Sequence, residues 1–196
     1  NVENMGLQSA GVPLDANGHI VVDDYLRATD NIYAAGDVVG EPAYVYTAAY
    51  EGGLAAENAL CGNRRKRDYT ALPWVIFTDP QVAGVGLNEK EALQAGIECD
   101  IAKLSLTQVP RALAAQDTRG FIKLIKKRGD DVLLGARVLA PEGGEQIMEA
   151  AVAIRFGIPI SQIAQMFHPY LTQSEGIKLC AQSFAKDIKK LSCCSA

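Results

Sequence analysis

Two apolar runs of strand length, 120–127 and 132–139, are separated only by Arg128-Gly129-Asp130-Asp131. A gap that short, filled with turn-forming residues, makes the runs an antiparallel hairpin, and a hairpin with an apolar face needs a cover. The cover follows in sequence. Ile147, Ala150, Ala151 and Ile154 recur on one face of a helix, and Ile177, Cys180, Ala181, Phe184 and Ile188 recur on another. Upstream, 74–78, 82–87 and 101–106 have the composition of strands, and Asn88 is placed to cap a helix ending at Ala95, with Gly96 just past its end. Strands joined by hairpins and then covered by helices predict an α+β architecture, an antiparallel sheet with covering helices.

The first third has a different grammar. Asp15-Ala16-Asn17-Gly18 predicts a tight turn between Val12-Pro13-Leu14 and His19-Ile20-Val21-Val22. Asn31 to Ala35 is a short buried strand ending at Gly36-Asp37, and 46–60 is an Ala-rich helix that contains Gly52-Gly53 and stops at Cys61-Gly62-Asn63. Arg64-Arg65-Lys66-Arg67 reads as a solvated linker. The expected organisation is therefore one unit over 1–67, a second domain over 68–188, and a tail over 189–196.

Charge and cysteines narrow the function. A net charge of −4 weighs against nucleic-acid or anionic-membrane partners, and no run approaches the roughly 20 apolar residues of a membrane span. The five cysteines are odd in number and include the neighbours Cys193 and Cys194, which suits free thiols in a reducing cytoplasm better than a secreted disulfide framework. Asn1-Val2-Glu3-Asn4-Met5-Gly6 is neither a signal peptide nor an initiating segment, so the chain is expected to be a fragment of a longer protein.

Four stretches carry chemistry. Thr29-Asp30-Asn31-Ile32-Tyr33-Ala34-Ala35-Gly36-Asp37 delivers a carboxylate at the carboxyl end of a buried strand, where ligands of open α/β sheets collect. Asp37 there either accepts from a polyol hydroxyl or caps a turn. The string resembles the second FAD motif of the pyridine-nucleotide-disulfide oxidoreductases, Thr-x-x-x-x-Tyr-Ala-x-Gly-Asp. By that resemblance Gly36 and Asp37 serve the flavin ribityl chain, and Val45 lies where a backbone amide approaches the flavin ring. Pro73-Trp74-Val75-Ile76-Phe77-Thr78-Asp79-Pro80-Gln81-Val82-Ala83-Gly84-Val85-Gly86-Leu87 resembles the opening of the same family's dimerisation domain, so an α+β dimerisation domain after the end of an α/β FAD-binding domain is expected.

His168-Pro169-Tyr170-Leu171-Thr172-Gln173-Ser174-Glu175 sits where dithiol enzymes of the family have a His–Glu acid/base pair, but the spacing is longer and Tyr replaces Thr. His168 is either that acid/base or a structural histidine. Glu175 is either its orienter or, through Thr172-x-x-Glu175, part of a capping box. Tyr170 matches a tyrosine that lies near the metal in the mercury-reducing members, unless it is simply a packed aromatic. Last, Cys193 and Cys194 follow Lys186, Lys189 and Lys190, whose charge favours thiolate. Thiolates select soft metals, and the Leu-Ser-Cys-Cys ending resembles the same mercury-reducing branch.

The resemblance implies a homodimeric FAD enzyme that draws electrons from NADPH and reduces Hg(II). Cys193 and Cys194 would take Hg(II) from thiol complexes and pass it to the partner subunit's active site, with Tyr170 as a further ligand. No Gly-x-Gly-x-x-Gly loop and no Cys-x-x-x-x-Cys pair occur in these 196 residues, so the chain alone is expected not to turn over. The alternatives are a dithiol or disulfide reductase that uses His168 and Glu175, and a metal-binding dimerisation module without catalysis.

Overall fold

The computed structural model describes residues 2–187, and its contacts divide the chain into two compact units, Asn1–Asp68 and Tyr69–Ala196. In the first, strands β1 (Arg27–Thr29) and β2 (Ile32–Tyr33) pair antiparallel and lead into a single 3-10 turn over Asp37–Val39. The 17-residue helix α1 (Val45–Cys61) follows, closed by Gly62 in the left-handed conformation. The turn at Asp15–Gly18 forms, closed by a bridge between Leu14 and Ile20. Val12, Ile20 and Ala34 make one small core, and Leu26, Leu54 and Ala55 make another.

The basic run Arg64–Arg67 has exposed or half-exposed side chains, yet its backbone is not a free linker. The buried Asn58 amide donates to Tyr25 O (3.0 Å) and Arg65 O (2.8 Å) and accepts from Arg65 N (3.1 Å). Arg67 N donates to Asp24 O at 2.8 Å. A buried amide that satisfies three backbone groups holds the segment against its own unit.

The second unit is built on a five-stranded antiparallel sheet of order β3-β4-β7-β6-β5: β3 (Trp74–Ile76), β4 (Gln81–Gly86), β5 (Cys99–Ser105), β6 (Phe121–Lys127) and β7 (Leu133–Ala140). The register explains its two faces. Val75, Ala83, Val138, Ile122 and Leu104 fall in one cross-strand row, and all belong to the core or pack against it. The adjacent row is Trp74, Gly84, Arg137, Lys123 and Lys103. Alternation with a period of two therefore sends the apolar set to one side. Helix α2 (Glu89–Gln94) forms between β4 and β5 with the expected Asn88 cap, completed as a capping box by Glu91. The apolar face is covered by α4 (Gly143–Phe156) over β4 and β7 and by α6 (Glu175–Gln182) over β5 and β6, with α5 (Ile160–Gln165) packed on α6.

Two short helices, α3 (Pro110–Ala114) and α5, were not legible in the periodicity, because five and six residues are too few to show it. Helix α6 ends at Gln182. Phe184 still packs on the core, while Ile188, the last expected member of its apolar face, lies outside the described residues. At Gly135 on β7 an added β-carbon would lie 2.0 Å from Leu87 O, so the strand can pass that backbone only without a side chain.

Candidate functional site

In the first unit the chemistry gathers where β2 ends. Gly36 has φ +79°, in the region that favours glycine, and a β-carbon there would lie 3.1 Å from Ala48 Cβ of α1. Its N–H donates to the carboxylate of Glu51 at 2.6 Å, and Glu51 is 2% exposed. Asp37 opens the 3-10 turn with its carboxylate in solvent; among the described residues its side chain accepts no hydrogen bond, so the alternative that it caps a turn is not realised. Val45 is the first residue of α1, and Tyr44 before it supplies no side-chain cap. The Val45 amide is thus one of the helix N-terminal donors that a carbonyl or anion can take up. Thr47, two residues on, has its hydroxyl buried without a partner among the described residues. An open carboxylate for a hydroxyl-rich chain, a helix N-terminus and an orphaned hydroxyl beside it fit a flavin with its ribityl chain.

In the second unit the segment from Met166 to Glu175 connects α5 to α6. The carboxylate that reaches His168 is not Glu175. His168 Nε2 lies 2.8 Å from Glu149 Oε1 on α4, and Nδ1 lies 3.3 Å from Met166 O. The Glu149 hydrogen bond raises the His168 pKa above the usual imidazole value, against the opposing effect of burial. Glu175 points elsewhere because it is the first residue of α6. Its Oε2 accepts from Leu171 N at 3.3 Å. Nor does it form a capping box with Thr172: the helix N-cap is Ser174, and Thr172 Oγ1 donates instead to Pro169 O at 2.8 Å. These bonds close a turn in which Leu171 takes φ +65°, a strained value for a branched residue. Tyr170 lies within that turn with its side chain 60% exposed, and is not a packed core aromatic within this chain.

Other large apolar side chains of this unit are exposed as well. Met148, Val152 and Phe156 recur every four residues along α4 and are exposed, as are Met166, Phe167 and Leu171. Met148, Glu149, Val152, Ile163 and Met166 line one cleft there.

Of the cysteines, Cys61 is exposed, Cys99 half-buried and Cys180 buried. Burial pushes the Cys180 thiol up to about 12, which leaves it protonated and inert. Cys193 and Cys194 lie outside the described residues. Among the described residues, no three His, Cys, Asp or Glu side chains are grouped to hold a metal ion, and no helix is long and apolar enough to cross a membrane.

Comparison with known proteins decides the family. Residues 72–181 match the pyridine nucleotide-disulphide oxidoreductase dimerisation domain, and residues 1–52 match the pyridine nucleotide-disulphide oxidoreductase model. The chain belongs to the pyridine nucleotide-disulphide oxidoreductase family. It is 51% identical to a mercuric reductase of Streptomyces lividans over 97% of this chain and 40% of that protein. It is 49% identical to the mercuric reductase of Acidithiobacillus ferrooxidans over 100% of this chain and 36% of that protein. The chain thus spans about two fifths of the length of the curated relatives it matches. Among solved structures, LpdA from Mycobacterium tuberculosis superposes with a TM-score of 0.86 at 28% identity, covering 95% of this chain and 41% of that one. The HOCl-induced flavoprotein disulfide reductase RclA from Escherichia coli, in its Cu(II) complex, gives 0.82 at 28% identity, covering 92% and 41%.

Sequence reasoning singled out Gly36, Asp37 and Val45; in the structure Gly36 and Asp37 follow β2 and Val45 opens α1. It missed Glu51 and Glu149. Glu51 was readable in principle, as a polar residue on the stripe Ala48, Leu54, Ala55, Asn58 of α1. Glu149 carried no local signal, because its partner is 19 residues away on another element.

Proposed function

We propose that the chain works in a homodimeric flavoenzyme that reduces Hg(II) to Hg(0) with electrons from NADPH. The observation that carries this is similarity to mercuric reductases over essentially the whole chain, at 51% identity for the Streptomyces lividans relative.

Within that reading Asp37 accepts from a ribityl hydroxyl, Gly36 keeps the backbone clear of α1, and the Val45 amide faces a flavin carbonyl. Bound FAD and NADPH supply the two electrons that Hg(II) takes up. Cys193 and Cys194 act as carriers: each thiolate forms a sulfur–mercury bond as a solution thiolate leaves, and the ion passes inward to the partner subunit's site by the same exchange. Tyr170 offers its phenol oxygen to the incoming ion, in a turn braced by Glu175. The exposed α4 residues Met148 and Val152, which line a cleft with Met166, support a second copy as its cover.

A dithiol or disulfide reductase is the second reading, and the His168–Glu149 hydrogen bond favours it. One experiment separates the two. In the FAD-loaded holoenzyme, Cys193→Ala/Cys194→Ala is expected to lower Hg(II) reduction from bulky thiol complexes while leaving FAD content unchanged. Unchanged mercury reduction, or robust disulfide reduction by the wild type in place of it, would overturn the proposal.

A further inference from the structure

The Gly36–Asp37 cradle is held by a residue that the flavin reading does not use. Glu51 lies in the middle of α1, 2% exposed, with Leu54 and Ala55 of the same helix buried next to it. A carboxylate is rarely buried this far without a specific task. Its Oε2 accepts the Gly36 N–H at 2.6 Å. One helical turn earlier on α1, Ala48 closes on the same glycine, 3.1 Å from where a β-carbon would be. The α1 face therefore grips Gly36 twice, once by contact and once by hydrogen bond. The peptide so gripped joins Ala35 to Gly36, one residue before Asp37. From there Val39 N donates to Gly36 O (2.9 Å) and Gly40 N donates to Asp37 O (3.1 Å), which closes the 3-10 turn.

We infer that Glu51 is a positioning residue for the flavin: its buried carboxylate fixes the Gly36 peptide and thereby aims the Asp37 carboxylate at the ribityl chain. The inference rests on the reading of Asp37 as the ribityl acceptor. Glu51 touches no part of the cofactor in this account and acts on it through Gly36. Losing the bond leaves Gly36, already free to adopt many backbone angles, without its anchor, so Asp37 must be ordered at the expense of binding.

The test separates the acceptor from the volume. Glu51→Met fills the same space with no acceptor, and Glu51→Gln keeps an acceptor oxygen without the charge. Glu51→Asp, which withdraws the acceptor by one methylene, takes the place of the Met variant should that variant not fold, with the thermal midpoint as the check. Two quantities are read: hydrogen-exchange protection of the Gly36 amide in the 196-residue chain, and the FAD dissociation constant of the holoenzyme. The expected result is loss of Gly36 protection and FAD binding weaker by about tenfold or more in Glu51→Met, with most of both restored in Glu51→Gln. Unchanged FAD binding in a variant that has lost the Gly36 protection overturns the inference, as does a Gln variant no better than Met. A wild-type holoenzyme that takes up no FAD removes the flavin reading itself, and that is measured before any Glu51 variant.

Discussion

Replacing Glu149 by Ala isolates the interaction that anchors the Tyr170 segment to α4. His168 Nε2 and Glu149 Oε1 are 2.8 Å apart, and their side chains are 5% and 26% exposed, so the pair is largely shielded from water. A hydrogen bond to a charged group contributes about 1.5–3 kcal/mol. Taking the lower end, because Glu149 is partly solvated, the loss is about 1.5 kcal/mol. For a chain of this length that lowers Tm by about 3–6 °C. The pH dependence has a definite sign. Glu149 raises the folded-state pKa of His168, so the stabilisation is complete below the unfolded imidazole value near 6.5 and is lost as pH rises through the higher folded value. Melting curves of wild type, Glu149→Ala, His168→Ala and the double variant from about pH 5.5 to 9 measure both quantities. The wild-type advantage over Glu149→Ala should shrink steadily with pH. A gap that does not change with pH, or a double-mutant coupling below about 0.5 kcal/mol at the acid end, would refute the reasoning.

Three further outcomes are expected. Cys180, pushed to about 12 by burial, should resist thiol reagents at pH 8 in the folded chain while Cys61 reacts, and because its unfolded thiol ionises first, stability should fall as pH rises from about 9 toward 12; rapid labelling of Cys180 under native conditions would contradict its burial. Gly135→Ala should cost about 3 kcal/mol or more, read from the urea midpoint, because the new β-carbon meets Leu87 O, a backbone atom that cannot rotate away. Tyr170→Phe should leave Tm unchanged, since the side chain is 60% exposed, yet slow Hg(II) reduction by the holoenzyme about tenfold; equal rates would remove the phenol from the metal path.

Much of the fold was written in short-range pattern. The 120–127 and 132–139 runs became β6 and β7 because their spacing left only a hairpin, and the spacings of Ile147, Ala150 and Ala151 gave α4 its buried face. The expected buried strand over 31–35 is shorter and only half-buried: β2 spans Ile32–Tyr33, and Gly36 takes positive φ three residues past its end. What stayed hidden depends on tertiary meeting. Thr172 and Glu175 have the sequence of a capping box, but the helix starts three residues after Thr172, so Ser174 takes the cap position and the Glu175 carboxylate turns back to Leu171. His168 and Glu175 sit where dithiol members of the family carry a pair, at a longer spacing, whereas α4 presents Glu149 to the imidazole. Arg64–Arg67 looked like a linker because nothing local shows that Asn58 fastens its backbone.

The central claim, that this chain handles Hg(II) through its terminal cysteines, is tested most directly by titrating Hg(II) into the reduced chain and into Cys193→Ala/Cys194→Ala while following the thiolate-to-mercury absorbance. The account predicts a tight complex of about one Hg(II) per chain that disappears in the double variant, leaving only weak binding at exposed Cys61 and half-buried Cys99. Equal tight binding by both proteins would contradict it and leave a disulfide-reductase dimerisation domain without a mercury carrier.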